Sequence, residues 1–374
     1  MKRMEFKIDY FSVTFPLMFD IGDVEEIAID DKVELVGEFF NLTERLIKKE
    51  PRATNRYKVQ YTLGENITLR LAGPLDSYGS KTCHLELKGE GCREFETRCP
   101  EKTWVDLMTF CNMLDAKATR IDIAIDDYSN QLELNWLDKK LDNKYFISSI
   151  KNDPRPIGRY KKGFSVTLGS NDSPLQICIY DKKSEQLGRN KFVQEQSWTR
   201  YEMRYRGDKA KLLYSLLYKN LRVNKDNLTD AFKKMSLGLL YKNLDIKEDN
   251  NYDVRTQYKV STDKKWLDFI ENAEKVVLPP LPKRDVSIEK YLLRHKSTVA
   301  FYMYFMYFIN GKDKEALEHE MFQTMRDELK LNRKKFHRLN LYLDKLGIKT
   351  LDDNDLDNLY TEINDIVIEM ELTF

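Results

Sequence analysis

The chain of 374 residues lacks the features of several large protein classes. Its 5 cysteines are an odd number with no Cys-x-x-Cys pair, so we expect reduced thiols in the core and neither disulfides nor a zinc site. The longest apolar stretch, residues 299–309, is far shorter than the roughly 20 residues that a membrane-spanning helix needs. Residues 1–9 carry charges and no apolar signal segment, and we therefore expect a cytoplasmic protein without membrane contact.

Net charge is also low, at +1, but the total hides an uneven distribution along the chain. Residues 151–220 carry 15 Lys and Arg against 7 Asp and Glu, whereas residues 351–374 carry 8 acidic residues and no Lys or Arg. A basic segment of this kind is either a surface that binds a polyanion or a solvated charged face. Charge alone leaves both interpretations open.

Alternation of apolar and polar residues recurs through the first two thirds of the chain and is typical of strands. It predicts strands at residues 6–15, 59–71, 84–89, 119–126, 164–168, 175–180 and 199–206. Helical spacing of apolar residues predicts helices at residues 33–49, 103–114 and 209–217. This order of elements predicts an α+β fold with a largely antiparallel sheet.

Helical patterns dominate from residue 229 onward. The proline-rich turn at residues 277–282 is interpreted as a hinge, because its prolines cannot continue a helix or a central strand. Two further helices are predicted beyond it, at residues 287–309 and 314–346. The carboxy-terminal region is therefore expected to be helical.

The alternating segment at residues 119–126 collects charge on one face. A strand there places Arg120, Asp122 and Asp126 opposite three isoleucines. Carboxylates spaced along one strand repel each other unless a cation lies between them, and a hard divalent ion such as Mg²⁺ or Mn²⁺ meets that need. Taken alone, the segment is explained more simply as a surface strand with salt bridges to Lys and Arg.

Three other strands carry comparable faces. Residues 84–88 place Glu86 on one face with His84, which is the weaker ligand candidate because a single histidine is more often structural. Residues 175–180 end in Tyr180, a phenol followed within three residues by two lysines that lower the cost of its ionisation. Residues 199–206 place four charged side chains on one face, suited to phosphate oxygens: Arg200, Glu202, Arg204 and Arg206. Four such strands in succession predict a shared site.

These segments resemble the replication initiation factors of rolling-circle plasmids, the Rep_trans family, and the related relaxases of integrative conjugative elements. The resemblance is carried by residues 8–15, 85–93, 119–126, 168–173, 179–183 and 200–204. Their order and spacing are similar to the family from the amino terminus to about residue 210.

The resemblance implies that Tyr180, in the motif Ile-Tyr-Asp-Lys, attacks a DNA phosphodiester and holds the 5′ phosphate while a 3′ hydroxyl is released. It assigns Lys182 and Arg200 to the reaction, where they would offset phosphate charge. Lys183, which also follows the tyrosine, would add to this charge and contact DNA together with Arg204 and Arg206.

The resemblance also implies a divalent metal ion, Mg²⁺ or Mn²⁺. Its implied ligands are Glu86, Asp122 and Asp126, with Glu202 as a further candidate. The chain departs from the larger group of tyrosine endonucleases, because none of its 4 histidines forms a His-hydrophobic-His pair. Carboxylates would therefore lead the binding of the metal.

As partners, the resemblance implies a DNA origin with a hairpin or inverted repeat, a host helicase and a second copy of the protein. It divides the chain into an N-terminal initiator subdomain at residues 1–115, a catalytic initiation core at residues 116–245 and a helical region at residues 255–374. Three alternatives stay open: a conjugative relaxase with the same chemistry, a non-catalytic origin-binding protein in which Tyr180 is a packing residue, and a metal-dependent nuclease that uses water.

Overall fold

The computed structural model describes residues 3–17, 25–76, 81–150, 155–156, 165–249 and 258–280, together with His319. Two compact units divide the chain, Met1–Pro282 and Lys283–Phe374, and the boundary falls at the end of the proline-rich turn. The helices expected at residues 287–309 and 314–346 lie outside the described residues. The fold described below is that of the first unit.

Ten strands form one sheet in the described part of the chain, in the order β2-β3-β4-β5-β1-β6-β11-β10-β9-β8. These strands are β1 (Met4–Pro16), β2 (Ile47–Lys49), β3 (Val59–Leu63), β4 (Ile67–Leu71), β5 (Thr82–Lys88), β6 (Lys117–Asp127), β8 (Arg155–Pro156), β9 (Ser165–Leu168), β10 (Leu175–Asp181) and β11 (Thr199–Arg206). All of its neighbouring strands pair antiparallel. Two short strands, β7 (Phe146–Ser148) and β12 (Leu244–Ile246), form a second sheet. The prediction of an α+β fold with a largely antiparallel sheet is confirmed.

The described helices are α1 (Glu25–Phe39), α2 (Gly89–Arg98), α3 (Trp104–Met113), α4 (Leu134–Asp142), α5 (Lys182–Gly188), α6 (Gly207–Val223), α7 (Leu228–Asn243) and α8 (Lys264–Phe269). The apolar face of the sheet packs against α3 and α6. Phe11 of β1 contacts the rings of Trp104 and Tyr214, with centroids 5.7 and 6.2 Å away. All five cysteines are buried and unpaired, as expected from the sequence. No helix in the described segments is long and apolar enough to cross a bilayer.

Two predictions about elements are wrong. Residues 59–71 form a hairpin of two strands, because Gly64 takes a φ of +67° and reverses the chain where one long strand was expected. The helix expected at residues 33–49 ends at Phe39, because Asn41 has a left-handed backbone with φ 54°. The residues that follow form a short 3-10 helix and β2.

Helix α2 was not predicted, although it positions one wall of the functional site. Its buried residues Cys92 and Phe95 lie three positions apart, which is helical spacing in an otherwise polar segment. Gly91 permits its close approach to the β3–β4 turn, since a Cβ there would lie 2.6 Å from the backbone oxygen of Asn66. The helix therefore begins immediately after β5, beside the amino-terminal part of β1.

Candidate active site

The sheet face opposite the helices is polar and forms the floor of an open cleft of about 600 Å³. The isoleucines of β6 are fully buried, whereas Arg120 and Asp122 line the cleft. Nine cations of the described chain line it, namely Lys7, Lys88, Arg93, Arg120, Lys182, Arg189, Lys191, Arg200 and Arg204. Five carboxylates line it, namely Asp9, Glu90, Asp122, Glu185 and Glu202. The cations that line the cleft outnumber its carboxylates, which suits a polyanionic ligand, although Lys7 and Arg200 pair with the buried Asp126 and Lys88 pairs with Glu86 from outside the lining.

Tyr180 lies near the end of β10 and lines this cleft half-buried. Its hydroxyl donates a hydrogen bond to Oε2 of Glu202 at 3.0 Å. Nζ of Lys182, the first residue of α5, lies 5.5 Å from the centre of its ring. Burial, and then the negative charge of Glu202, raise the pKa of the Tyr180 phenol above its usual value. The phenol is therefore protonated and has a proton acceptor within hydrogen-bond reach.

Glu202 of β11 connects Tyr180 to a guanidinium. Its Oε1 accepts a hydrogen bond from Nε of Arg204 at 2.7 Å. Burial by itself would raise the pKa of Glu202, but the hydrogen bond and charge of Arg204, followed by the charge of Arg200, outweigh burial and lower it. Glu202 is therefore ionised and accepts the hydrogen bond of Tyr180, although its lowered pKa makes it a weak base toward the phenol.

Arg200 is buried and holds two carboxylates. Its Nε and Nη2 donate to the two oxygens of Asp126 at 2.6 and 2.8 Å, and its Nη1 donates to Asp9 at 2.7 Å. This fork joins β11, β6 and β1 across the floor of the cleft. The charge that was expected to offset a phosphate is thus already shared with two carboxylates, so Arg200 holds the strands together as well as lining the cleft.

Asp9 was missed by the sequence reasoning. The pairing of β1 with β6 shifts register between Ile8 and Tyr10, which is the sign of a β-bulge. The sequence carries the signal: the apolar residues of β1 change phase between Ile8 and Phe11, so strict alternation fails at Asp9. Burial raises the pKa of the Asp9 carboxyl, and the charge of Arg200 opposes that effect.

The three carboxylates predicted to bind metal do not come together. Glu86 lies on β5 and accepts hydrogen bonds from Tyr10 and from Nη2 of Arg70, the latter at 2.9 Å. It is not among the residues that line the cleft. Asp126 is fully buried under Arg200, and Nζ of Lys7 lies 2.9 Å from it. Among the described residues, no three His, Cys, Asp or Glu side chains are placed to share one metal ion.

Asp122 and Glu202 are the two carboxylates of the predicted metal site that line the cleft, and Nε of Arg204 lies between them, 2.7 Å from Glu202 and 4.0 Å from Asp122. Asp122 accepts hydrogen bonds from Arg120, yet burial raises its pKa to about 6, and the nearby charge of Glu202 adds to that rise. Arg204 of β11 pairs with Asp122 of β6, and Glu202, two residues before Arg204, therefore lies on the same face of the sheet as Asp122. Mg²⁺ commonly keeps several waters and binds through one or two carboxylates plus substrate phosphates. Asp122 and Glu202 could hold such an ion with substrate phosphates only in place of their contacts with Arg120 and Arg204, and the described residues offer no metal site made of protein ligands alone.

The remaining predicted residues divide into two groups. Lys182 lines the cleft and pairs with Glu185 at 2.5 Å, and Arg204 lines it beside Glu202. Lys183 and Arg206 do not line the cleft, and both donate to backbone oxygens, at 2.9 and 3.4 Å. His84 bonds Thr14 at 3.0 Å and lies outside the cleft lining.

Tyr10 is a second tyrosine in the cleft that the sequence reasoning passed over. Its hydroxyl donates to Glu86, and the Arg120 guanidinium lies 4.1 Å from the centre of its ring. Burial and the hydrogen bond to Glu86 raise its pKa above the usual value. The two tyrosines differ in where their acceptors lie. Glu86 and its partner Arg70 are outside the cleft lining, whereas Glu202, the acceptor of Tyr180, lines the cleft.

Two family models match this chain, one over its amino-terminal part and one over its central part. Residues 5–110 match the family described as the N-terminal domain of rolling circle replication initiation proteins. Residues 116–335, more than half of the chain, match the family described as replication initiation factor. The chain belongs to the replication initiation factor family. The resemblance to Rep_trans proteins is thereby confirmed.

Two individual proteins are similar to this member of the family. A Bacillus subtilis (strain 168) protein described as a putative DNA relaxase, NicK, is 28% identical over 221 residues, which are 57% of this chain and 58% of the relative. The chain thus spans less than two thirds of that relative's length. The structure of a rolling circle replication initiator from Geobacillus stearothermophilus covers 74% of this chain and 99% of its own, with a TM-score of 0.57 and 22% identity. That likeness shows a shared fold.

Both family segments contribute to the cleft of this replication initiation factor. Tyr180 and Glu202 lie in the segment of residues 116–335, whereas Asp9 and Tyr10 lie in that of residues 5–110. Because β1 and β6 pair along most of their length, the two segments form one continuous sheet. The division into domains at residues 115, 245 and 255 stays a prediction.

Proposed function

We propose that this protein starts rolling-circle replication by nicking one DNA strand at an origin, with Tyr180 as the nucleophile. The observation that carries the proposal is the 3.0 Å hydrogen bond from the Tyr180 hydroxyl to Glu202 in a cleft with an excess of positive charge. A hydroxyl that donates a hydrogen bond to a group able to take its proton is one of the arrangements that support nucleophilic catalysis. Membership of the replication initiation factor family supports the same activity.

The reaction is a transesterification. The Tyr180 oxygen attacks the phosphorus as its proton passes to Glu202, and the bond from phosphorus to the 3′ oxygen breaks. The 5′ phosphate stays on the tyrosine, and the leaving oxygen takes up a proton to become a 3′ hydroxyl. A DNA phosphodiester is exchanged for a phosphotyrosyl diester, so the strand can later be rejoined by the reverse reaction without another energy source.

Cations of the cleft would hold the DNA backbone during this step. Nζ of Lys182 lies 5.5 Å from the centre of the Tyr180 ring and would offset charge on the attacked phosphate, with Arg204 on the neighbouring strand. Arg200 keeps β1, β6 and β11 in register beneath them. Lys183 and Arg206 would contact the DNA outside the cleft.

A divalent ion, Mg²⁺ or Mn²⁺, bound at Asp122 and Glu202 would supply positive charge to the scissile phosphate. Glu86 and Asp126, which the resemblance also implies as ligands, do not line the cleft, whereas Asp122 and Glu202 do, so the ion is proposed at the latter two in place of their arginine contacts. The origin with a hairpin or inverted repeat, a host helicase and a second copy of the chain are proposed partners.

A conjugative relaxase is the second candidate function, favoured by the similarity to the putative DNA relaxase of Bacillus subtilis. The proposed chemistry is identical, because both enzymes form the same 5′-phosphotyrosyl link. The two differ in the fate of the nicked strand, which is copied in one case and transferred in the other.

Tyr180→Phe tests the proposed function. Supercoiled plasmid carrying the DNA around the gene is incubated with Mg²⁺ or Mn²⁺, and relaxation is followed on gels. We expect the variant to lose nicking and the covalent adduct while it still binds the DNA, since only the nucleophilic oxygen is removed.

Tyr10→Phe is the matched control, because Tyr10 lines the same cleft and also donates to a carboxylate. This variant should nick as the wild type does. Nicking by Tyr180→Phe would overturn the assignment, and nicking without an adduct would instead favour a nuclease that uses water.

A further inference from the structure

Two carboxylates of the cleft are each held by an arginine of their own strand. On β6, Nε and Nη2 of Arg120 donate to the two oxygens of Asp122 at 2.9 and 2.6 Å. On β11, Nε of Arg204 donates to Oε1 of Glu202 at 2.7 Å and lies 4.0 Å from Asp122. Each proposed metal ligand therefore already has a guanidinium in direct contact that offsets its charge.

The arginine is the more exposed partner in both ion pairs. The side chain of Arg120 is 28% exposed and that of Asp122 is 2% exposed. On β11 the corresponding values are 27% for Arg204 and 5% for Glu202. All four side chains line the cleft. An ion that enters from the cleft therefore meets the guanidiniums before it reaches the carboxylate oxygens.

The oxygens of these carboxylates are fully engaged. Both oxygens of Asp122 accept from Arg120. Oε1 of Glu202 accepts from Arg204, and its Oε2 accepts from Tyr180. A divalent ion added to this group would be repelled by the two guanidiniums at short range, because all three carry positive charge. Binding of the ion at these carboxylates therefore requires that the guanidiniums move aside.

A DNA phosphate is a group that can accept the guanidiniums. It takes the fork of an arginine as a carboxylate does, and it also offers oxygens to Mg²⁺. The guanidinium of Arg120 rests on the ring of Tyr10, 4.1 Å from the ring centre. That contact uses the face of the guanidinium, so the N–H donors at its edge can turn from a carboxylate to a phosphate without losing the ring.

We infer that these two guanidiniums keep the divalent ion away from Asp122 and Glu202 until a DNA phosphate accepts them, so that the ion and the DNA bind cooperatively. This inference rests on the proposed function, because it concerns the ion proposed there. Coupling between two ligands is reciprocal, so the ion tightens DNA binding by the same factor by which DNA tightens binding of the ion. The ion is thus bound tightly only when a strand is present to be cleaved.

Binding of Mn²⁺, followed by the electron paramagnetic resonance signal of the unbound ion, tests the inference independently of nicking. The protein is the full chain with Tyr180→Phe, which is expected to bind the DNA without cleaving it. Mn²⁺ is titrated into the protein alone, into the protein with an oligonucleotide of the nicked sequence, and into the oligonucleotide alone as a blank. We expect the oligonucleotide to tighten Mn²⁺ binding by about 5- to 150-fold, the usual range of coupling between two ligands.

Arg120→Gln, added to Tyr180→Phe, distinguishes displacement of an arginine from the mere addition of phosphate ligands to the ion. Without DNA, this variant should bind Mn²⁺ more tightly by about 5-fold or more, and the further effect of DNA should be smaller. Arg204→Gln should act in the same direction. Arg189→Gln is the matched control, because it removes the same charge from the cleft and Arg189 pairs with Glu185. It should leave Mn²⁺ binding nearly unchanged.

Two results would overturn the inference. One is equal Mn²⁺ affinity with and without the oligonucleotide, a comparison that needs no arginine variant and so does not depend on how Arg120→Gln folds. The other is Mn²⁺ binding by Arg120→Gln and Arg204→Gln that is no tighter than that by Arg189→Gln. Failure of the proposed nucleophile would be seen separately, as nicking by Tyr180→Phe.

Discussion

At the scale of the residue, Glu202 and Glu86 each accept a hydrogen bond from a tyrosine, but only Glu202 serves Tyr180. We expect Glu202→Gln to lower the rate of nicking by about 10²- to 10⁴-fold, because an amide can neither take the phenolic proton nor contribute its charge to the proposed ion. The single-turnover rate at saturating DNA measures this, with DNA affinity followed in parallel.

Glu86→Gln is the control for this prediction. It keeps the hydrogen-bonding shape beside Arg70 and removes a charge of the same sign, so it should nick at nearly the wild-type rate. An equal loss of nicking rate in Glu202→Gln and Glu86→Gln would show that the rate depends on the negative charge of the sheet face and not on the contact of Glu202 with Tyr180.

Asp122 gives a prediction about the metal. Since Asp122 and Glu202 are the proposed ligands and line the cleft, Asp122→Asn should raise the Mg²⁺ concentration needed for half-maximal nicking, whereas Glu86→Gln should leave it unchanged. A Mg²⁺ titration of the nicking rate measures both. If only Glu86→Gln raised the Mg²⁺ concentration needed for half-maximal nicking, the result would contradict the proposed site and would place the ion at Glu86 of β5.

His84 gives a prediction about stability. Burial lowers the pKa of His84 from 6.5 to about 4. Between pH 6.5 and pH 4 the imidazole is therefore protonated in the unfolded chain and neutral in the folded chain. Stability is therefore lost as the pH falls through this window. From pH 7 to pH 4.5 the wild type should lose about 2 kcal/mol more than His84→Gln. Urea unfolding at both pH values measures the difference, and parallel pH profiles would contradict the prediction.

Single residues were predictable from sequence where strict alternation holds. Tyr180, Asp122 and Glu202 follow the two-residue period of their strands, so their common face could be predicted. Asp9 could not be placed, because the β-bulge changes which face its side chain joins. The ion pairs of Glu86 and Asp126 depend on arginines that are distant in sequence or on another strand, which alternation along one strand does not reveal.

At the scale of the element, Arg200 is the contact that joins three strands of the sheet. Arg200→Leu should lower the free energy of unfolding by about 3 to 5 kcal/mol, because it leaves the carboxylate of the fully buried Asp126 without its main partner. Denaturant unfolding of the variant measures the loss.

Asp126→Asn provides the second arm of a double-mutant cycle. The double variant should be destabilised by less than the sum of the two single variants, since the uncompensated charge is then gone. Additive losses, within about 0.5 kcal/mol, would mean that the two side chains do not depend on each other.

Elements were predictable where composition and period agree. The isoleucines of β6 predict a strand with one buried face. Helix α3 begins at Trp104, one residue after the predicted start, because Thr103 is its N-cap and forms a capping box with Asp106. Errors arose at residues 33–49 and 59–71, where a change of backbone direction depends on one residue with positive φ. Apolar spacing carries little information about such a residue.

At the scale of the whole molecule, two family segments contribute strands to one sheet and side chains to one cleft. The amino-terminal segment supplies β1 with Asp9, and the replication initiation factor segment supplies β6, β10 and β11. Neither segment alone contains the fork of Arg200 between Asp9 and Asp126. We therefore interpret the two segments as one functional unit.

The covalent protein-DNA adduct gives the most direct test of Tyr180 as the nucleophile. The protein is allowed to nick an oligonucleotide of its origin, the adduct is digested with protease, and the modified residue is located by mass spectrometry. We expect a 5′-phosphoryl link on Tyr180 and none on Tyr10, the other tyrosine among the described residues that line the cleft. A link on Tyr10 or on any other residue, or efficient nicking with no adduct at all, would contradict it.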